Sequence, residues 1–137
     1  MKIVLSILVL FFSTQSMAYD GLPQSQVDSF FKELATSNTS KAVDNLYSSN
    51  PLFAEKSQNL VMLKQQVMNL EPLYGKFLGA ENIINEKLSP SLIRIVQLAK
   101  YEKHPIVWEF YFYKKESNWA ISQGIFGDRF ENISSKK

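Results

Sequence analysis

Ile106-Val107-Trp108-Glu109-Phe110-Tyr111-Phe112-Tyr113 decides the fold of this chain. Successive side chains on an extended strand point to opposite faces, so Ile106, Trp108, Phe110 and Phe112 share one side while Val107, Glu109, Tyr111 and Tyr113 share the other. The first set is wholly apolar and predicts the face that covers a core. The second is amphipathic, and predicts a face that meets water through tyrosine hydroxyls or is covered by a second subunit.

Three further runs share this period of two, and residues that favour a pleated surface are frequent in them. They span about Gly75 to Leu88, Leu92 to Tyr101 and Trp119 to Phe126, with the aromatic run at Ile106 to Lys114 between the last two. Ser89-Pro90, Glu102-Lys103-His104-Pro105 and Lys115-Glu116-Ser117-Asn118 separate them. Connections this short predict antiparallel neighbours, hence a meander. In the last run the alternation predicts Trp119, Ile121 and Ile125 on one side and Ala120, Ser122, Gly124 and Phe126 on the other.

Before Tyr74 the period is near 3.6. Val27, Phe30, Phe31 and Leu34 predict a helix over about Ser25 to Thr36 with one buried stripe. Ala42, Val43, Leu46 and Tyr47 predict a second, capped by Thr39 or Ser40 and stopped by Asn50-Pro51. Leu60, Leu63, Val67 and Leu70 predict a third from about Ala54 to Leu70, ended by Pro72, with Met62 and Met68 packing beside the stripe. Helices first and strands second make the expected class α+β: three N-terminal helices packed on a curved four-stranded antiparallel meander sheet.

Met1 to Ala18 carries Lys2, an apolar run from Ile3 to Phe12 and a small-residue end at Ser16-Met17-Ala18, the pattern of a cleaved export signal. The expected product is soluble and periplasmic or secreted, with one domain over residues 19–130 and a polar tail over 131–137. The expected mature 119 residues suffice for a single core. Without cysteine there is no disulfide, thiol nucleophile or thiolate metal site. Losing Lys2 leaves 14 basic against 13 acidic residues, too even a balance for a polyanion-binding field, so nucleic acid is excluded as an expected partner. Asn38-Thr39-Ser40 and Asn132-Ile133-Ser134 fit the N-glycosylation pattern but read as cap and tail residues.

Asp28-Ser29-Phe30-Phe31-Lys32-Glu33-Leu34 followed by Ala42-Val43-Asp44-Asn45-Leu46-Tyr47 resembles the opening of a nuclear-transport-factor-2-like domain. Gly75-Lys76-Phe77-Leu78-Gly79 and the Trp108 to Tyr113 run with Asn118-Trp119 are similar to small exported members of that cystatin-like superfamily. The likeness covers residues 25 to 128. It implies a cone between sheet and helices, which in enzymes of the superfamily holds an acid or base with hydrogen-bond donors and in other members only binds. An isomerase-type Asp with its Tyr and acidic partner has no counterpart on these strands.

Among candidate groups, Glu109 lies in aromatic surroundings that suit a general base, while pairing with Arg94 or Lys100 across strands is the structural alternative. His104 is the sole histidine and sits in turn chemistry beside Pro105, and one histidine without cysteine makes a zinc site improbable. Asp128-Arg129 fits a rim ion pair. Tyr47, Tyr74, Tyr111 and Tyr113 have the composition of an apolar pocket with a few orienting hydroxyls, although a core edge or interface is the favoured reading of the same composition. The expected ligand-binding set is therefore Tyr47, Tyr74, Glu109, Tyr111 and Tyr113, with no catalytic residue, metal or cofactor. The expected function is a noncatalytic binding domain for a small apolar ligand or a protein partner, with a homodimer formed through the sheet face as one possibility. The alternatives are an isomerase- or hydrolase-like enzyme using a pocket carboxylate and tyrosine, and an envelope or host interaction protein.

Overall fold

The aromatic strand lies third in a four-stranded antiparallel sheet of order β1-β2-β3-β4, a meander. The computed structural model describes residues 22–131 and residue 133; the expected leader lies outside them. The strands are β1 (Phe77–Ser89), β2 (Leu92–Tyr101), β3 (Ile106–Lys115) and β4 (Asn118–Gly127), close to the expected ranges. The helices are α1 (Pro23–Ala35), α2 (Thr39–Tyr47), α3 (Leu52–Glu55), α4 (Ser57–Met68) and α5 (Leu70–Tyr74). The class is α+β with one open sheet, as the period change implied.

The helix count differs from the expected three because the third helical run breaks twice. α3 turns the Phe53 ring edge-on to Tyr47 at 4.6 Å, whereas α4 directs Leu60, Leu63 and Val67 to the core from another angle. Pro72 does not end the run. It occupies the first turn of α5, where its missing N–H is not needed, and the stop comes at Gly75 with φ +88°. Met62 and Met68, expected beside the packed stripe, are instead exposed. Asn38, not Thr39 or Ser40, caps α2 by accepting the Lys41 amide at 3.2 Å.

α1 covers the inner sheet face. Phe30 stands edge-on to Trp108 at 5.1 Å and Phe110 at 5.9 Å, while Phe31 meets both at 6.0 Å. Ile106, Trp108, Phe110 and Phe112 are all buried, as their alternation predicted. At the N-terminal end of α1, Gln24 Oε1 accepts from Asn82 and Asn85 of β1, at 3.0 and 2.9 Å, which pins the helix to the far edge of the sheet.

β4 departs from strict alternation. Phe112 pairs with Ile121 but Tyr111 pairs with Gln123, so Ser122 is an extra, bulged residue. The bulge switches the parity. Ile121 is buried inside, Phe126 stacks on Trp108 at 4.4 Å, and Ile125 turns outward and is 47% exposed, contrary to its expected grouping with Ile121. β1 skips Leu78, Ile83 and Leu88 in the same manner. Bulges bend and twist a strand, and three of them on an edge strand blunt its capacity to pair with another chain.

Gly124 lies opposite Phe110 on the inner face, where a Cβ would stand 2.6 Å from the Tyr47 hydroxyl. Tyr47 is buried and held by Phe53, so its ring cannot withdraw. Gly124→Ala is expected to cost about 1–3 kcal/mol in urea unfolding through overpacking. Adding Tyr47→Phe to that variant should recover part of the loss, and a double variant no more stable than Gly124→Ala would refute the contact.

Candidate functional site

Gln26, Ser29 and Glu33 form a polar stripe on α1 immediately beside the Val27-Phe30-Phe31-Leu34 core stripe, because positions three and seven apart share a helix face. Burying the core stripe against β3 therefore turns the polar one toward the free edge of β4. There a cleft of about 650 Å³ opens between α1, the end of α2 and the start of β4. Phe30, Leu46 and Trp119 supply its apolar wall; Asn45, Ser48, Ser49 and Asn118 join the α1 stripe as its polar one.

Side chains stitch this corner to the strand. Asn50 Nδ2 donates to the Ile121 carbonyl at 2.8 Å, the Ile121 amide donates to Ser49 Oγ at 3.1 Å, and Gln26 Nε2 donates to the Trp119 carbonyl at 3.2 Å. Backbone groups that would leave β4 open to edge pairing are thus satisfied. Glu33 is the sole acidic or basic side chain in the lining. Its Oε1 accepts from Asn45 Nδ2 at 2.6 Å, while its Oε2 is buried with no hydrogen-bond partner among the described residues. Lys114 Nζ lies 5.6 Å from the centre of the Trp119 ring.

None of the five tyrosine and glutamate residues expected to bind ligand lines this cleft. They lie in three places. Tyr47 is in the core, where burial pushes its hydroxyl pKa up to about 12. Tyr74 lies at the end of the sheet where the β2–β3 turn returns, and its hydroxyl donates to Asp128 Oδ2 at 3.1 Å, a bond that raises its pKa. His104 is beside it, donating from Nδ1 to the Pro105 carbonyl at 2.7 Å and stacking on Phe130 at 5.6 Å. Asp128, expected in a rim pair with Arg129, is thus engaged by Tyr74.

Glu109, Tyr111 and Tyr113 do share the outer sheet face. Register places Glu86, Arg94 and Tyr111 in one row across β1, β2 and β3. Arg94 is 0% exposed; its Nε donates to Glu109 Oε1 at 2.7 Å and its Nη1 to Glu86 Oε1 at 2.9 Å. Tyr111 donates its hydroxyl to the same Glu109 oxygen. Burial alone would lower the Arg94 pKa, and the hydrogen bonds to the two carboxylates outweigh it, so the guanidinium stays charged. The expected pairing of Glu109 with Arg94 is present, and Lys100 pairs instead with Glu81 at 3.0 Å. Tyr113 is 52% exposed. Ile133, in the segment expected as a polar tail, is half-buried and lines a depression of about 240 Å³ with Val96, Val107 and Ile125, which Glu109 and Asp128 also border.

The cleft residues escaped the sequence reading because Gln26, Ser29 and Glu33 have the spacing of any solvated helix face. Only their adjacency to the core stripe, with Trp119 opening an edge strand, carried a signal. No group of three potential metal ligands exists among the described residues, and no helix there is long and apolar enough to cross a membrane. Comparison of the chain with family models, curated proteins and solved structures returns no match.

Arg94→Ala is expected to destabilise the fold by about 3–5 kcal/mol, since it leaves two part-buried carboxylates facing each other without their cation. Glu109→Gln, which keeps an acceptor for Arg94, should cost only about 1–2 kcal/mol. Equal and negligible losses for the two in chemical unfolding would mean that water, not protein, solvates the cluster.

Proposed function

We propose that this chain is an exported, noncatalytic binding domain of the nuclear-transport-factor-2-like type, which holds a small ligand in the cleft between α1, α2 and β4. The observation that carries the reading is the cleft itself, whose volume of about 650 Å³ and apolar wall with converging polar groups are those of a small-molecule site. Seven of its ten lining side chains are polar, so the ligand is amphipathic rather than wholly apolar. Its polar side faces Glu33 and Asn45; its carbon body lies on Phe30, Leu46 and Trp119.

The enzyme alternative draws little support from this geometry. Glu109 is bound to Arg94 and Tyr111 on the far side of the sheet, Asp128 is engaged by Tyr74, and no histidine stands near the cleft serines. A protein partner or a second copy on the outer face is the second reading, supported by the exposure of Tyr113 and Ile125. A solution mass that is monomeric for both the parent chain and its Tyr113→Ser variant would remove the homodimer.

A fragment panel followed by amide NMR tests the cleft. Ligands are expected to shift the resonances of Glu33, Asn45 and Trp119, to bind at least tenfold more weakly to the cleft-filling variant Ser29→Phe, and to be recovered chemically unchanged. Shifts gathered around Tyr74 and His104 instead, or turnover of a bound compound, would overturn the proposal.

A further inference from the structure

The cleft holds a carboxylate without a countercharge. Glu33 Oε1 has the Asn45 amide at 2.6 Å, Oε2 is shielded from water with no donor, and no Lys, Arg or His lines the cavity among the described residues. On α4, which packs against α2, Lys64 is already committed to Asp44 at 2.7 Å. Glu33 is half-buried as a residue, but its Oε2 atom is closed off from water, and an acceptor left without a donor is costly. Natural sites resolve this by supplying a donor that also carries the opposite charge.

We infer that the ligand of this cleft carries a cationic nitrogen, an ammonium or amidinium-type group, which docks on Glu33 while its carbon body lies against Phe30, Leu46 and Trp119. The inference rests on the cleft being the ligand site. A neutral hydroxyl would satisfy Oε2 but leave the charge uncompensated, and an anion would be repelled by a lining whose only charge is negative. Trp119 supplies an aromatic wall for the carbon body, its cation–π interaction being already taken up by Lys114 at 5.6 Å.

Phenethylamine, 2-phenylethanol and 3-phenylpropionate present one aromatic body with a cationic, a neutral and an anionic end. Titrated into the full chain, the amine should shift the Asn45 side-chain amide and Trp119 indole resonances with an apparent Kd at least tenfold below that of the alcohol, and the acid should leave them unmoved. Glu33→Gln keeps an acceptor for Asn45 and removes only the charge; it should bring the amine down to the alcohol's affinity. If the alcohol equals the amine on the parent chain, or if Glu33→Gln retains the preference, the cation inference is wrong and the cleft reading stands. If none of the three moves the cleft resonances while other fragments do, the inference again falls alone; if no fragment does, both fall.

Discussion

Shielding one strand face with one helix is the constraint from which the remaining geometry follows. Phe30 and Phe31 of α1 meet Trp108 and Phe110 of β3 edge-on, at 5.1 to 6.0 Å. Complete burial of each such ring contributes on the order of 2–3 kcal/mol, and edge-to-face pairs add about 1 kcal/mol more. The Trp108 indole N–H is buried without a partner among the described residues, a cost of about 1–3 kcal/mol that the ring contacts around it offset. Because the apolar stripe fixes the rotation of α1, the direction of Gln26, Ser29 and Glu33 is fixed with it. Phe30 belongs to both stripes, at once a core residue and a wall of the cleft.

Strands whose two faces differ sharply were legible in the sequence. β2 and β3 were delimited almost to the residue because alternation, β-branched content and turn residues agree there. β4 was delimited too, yet its facing was misread beyond Ser122, since one inserted residue inverts parity and leaves no mark in composition. Leu78, Ile83 and Leu88 hide β1's alternation in the same way: each is a large apolar residue that pairing skips and solvent reaches. The third helix was drawn as one because its leucine spacing persists across the break at Asn69. Pro72 has the look of a terminator, although proline is tolerated in a first turn, and nothing local announces that a new helix starts two residues before it.

The site was less legible for a different reason. Its residues come from positions 26 to 33, 45 to 49 and 118 to 119, and no short-range spacing relates these segments. Tyrosine counts drew attention to the sheet, where the hydroxyls turned out to be spent: Tyr111 on Glu109, Tyr74 on Asp128. A residue's capacity to bind depends on what its neighbours leave unused, and composition does not record that.

Two acidic groups illustrate this difference. Glu109 sits in the most aromatic strand of the chain, which made it the natural suspect for unusual chemistry, yet a buried guanidinium and a phenol saturate one of its oxygens and hold it as structural anion. Glu33 lies on an ordinary amphipathic helix between Lys32 and Leu34, and nothing adjacent marks it. The fold brings Asn45 to one of its oxygens, and leaves the other without a hydrogen-bond partner among the described residues. Arg94 could not be moved to serve Glu33, since the sheet lies between them: Arg94 faces outward with Val96, and the cleft opens on the helical side. The same sheet thus separates the Arg94 ion cluster from a carboxylate with one oxygen lacking a hydrogen-bond partner among the described residues.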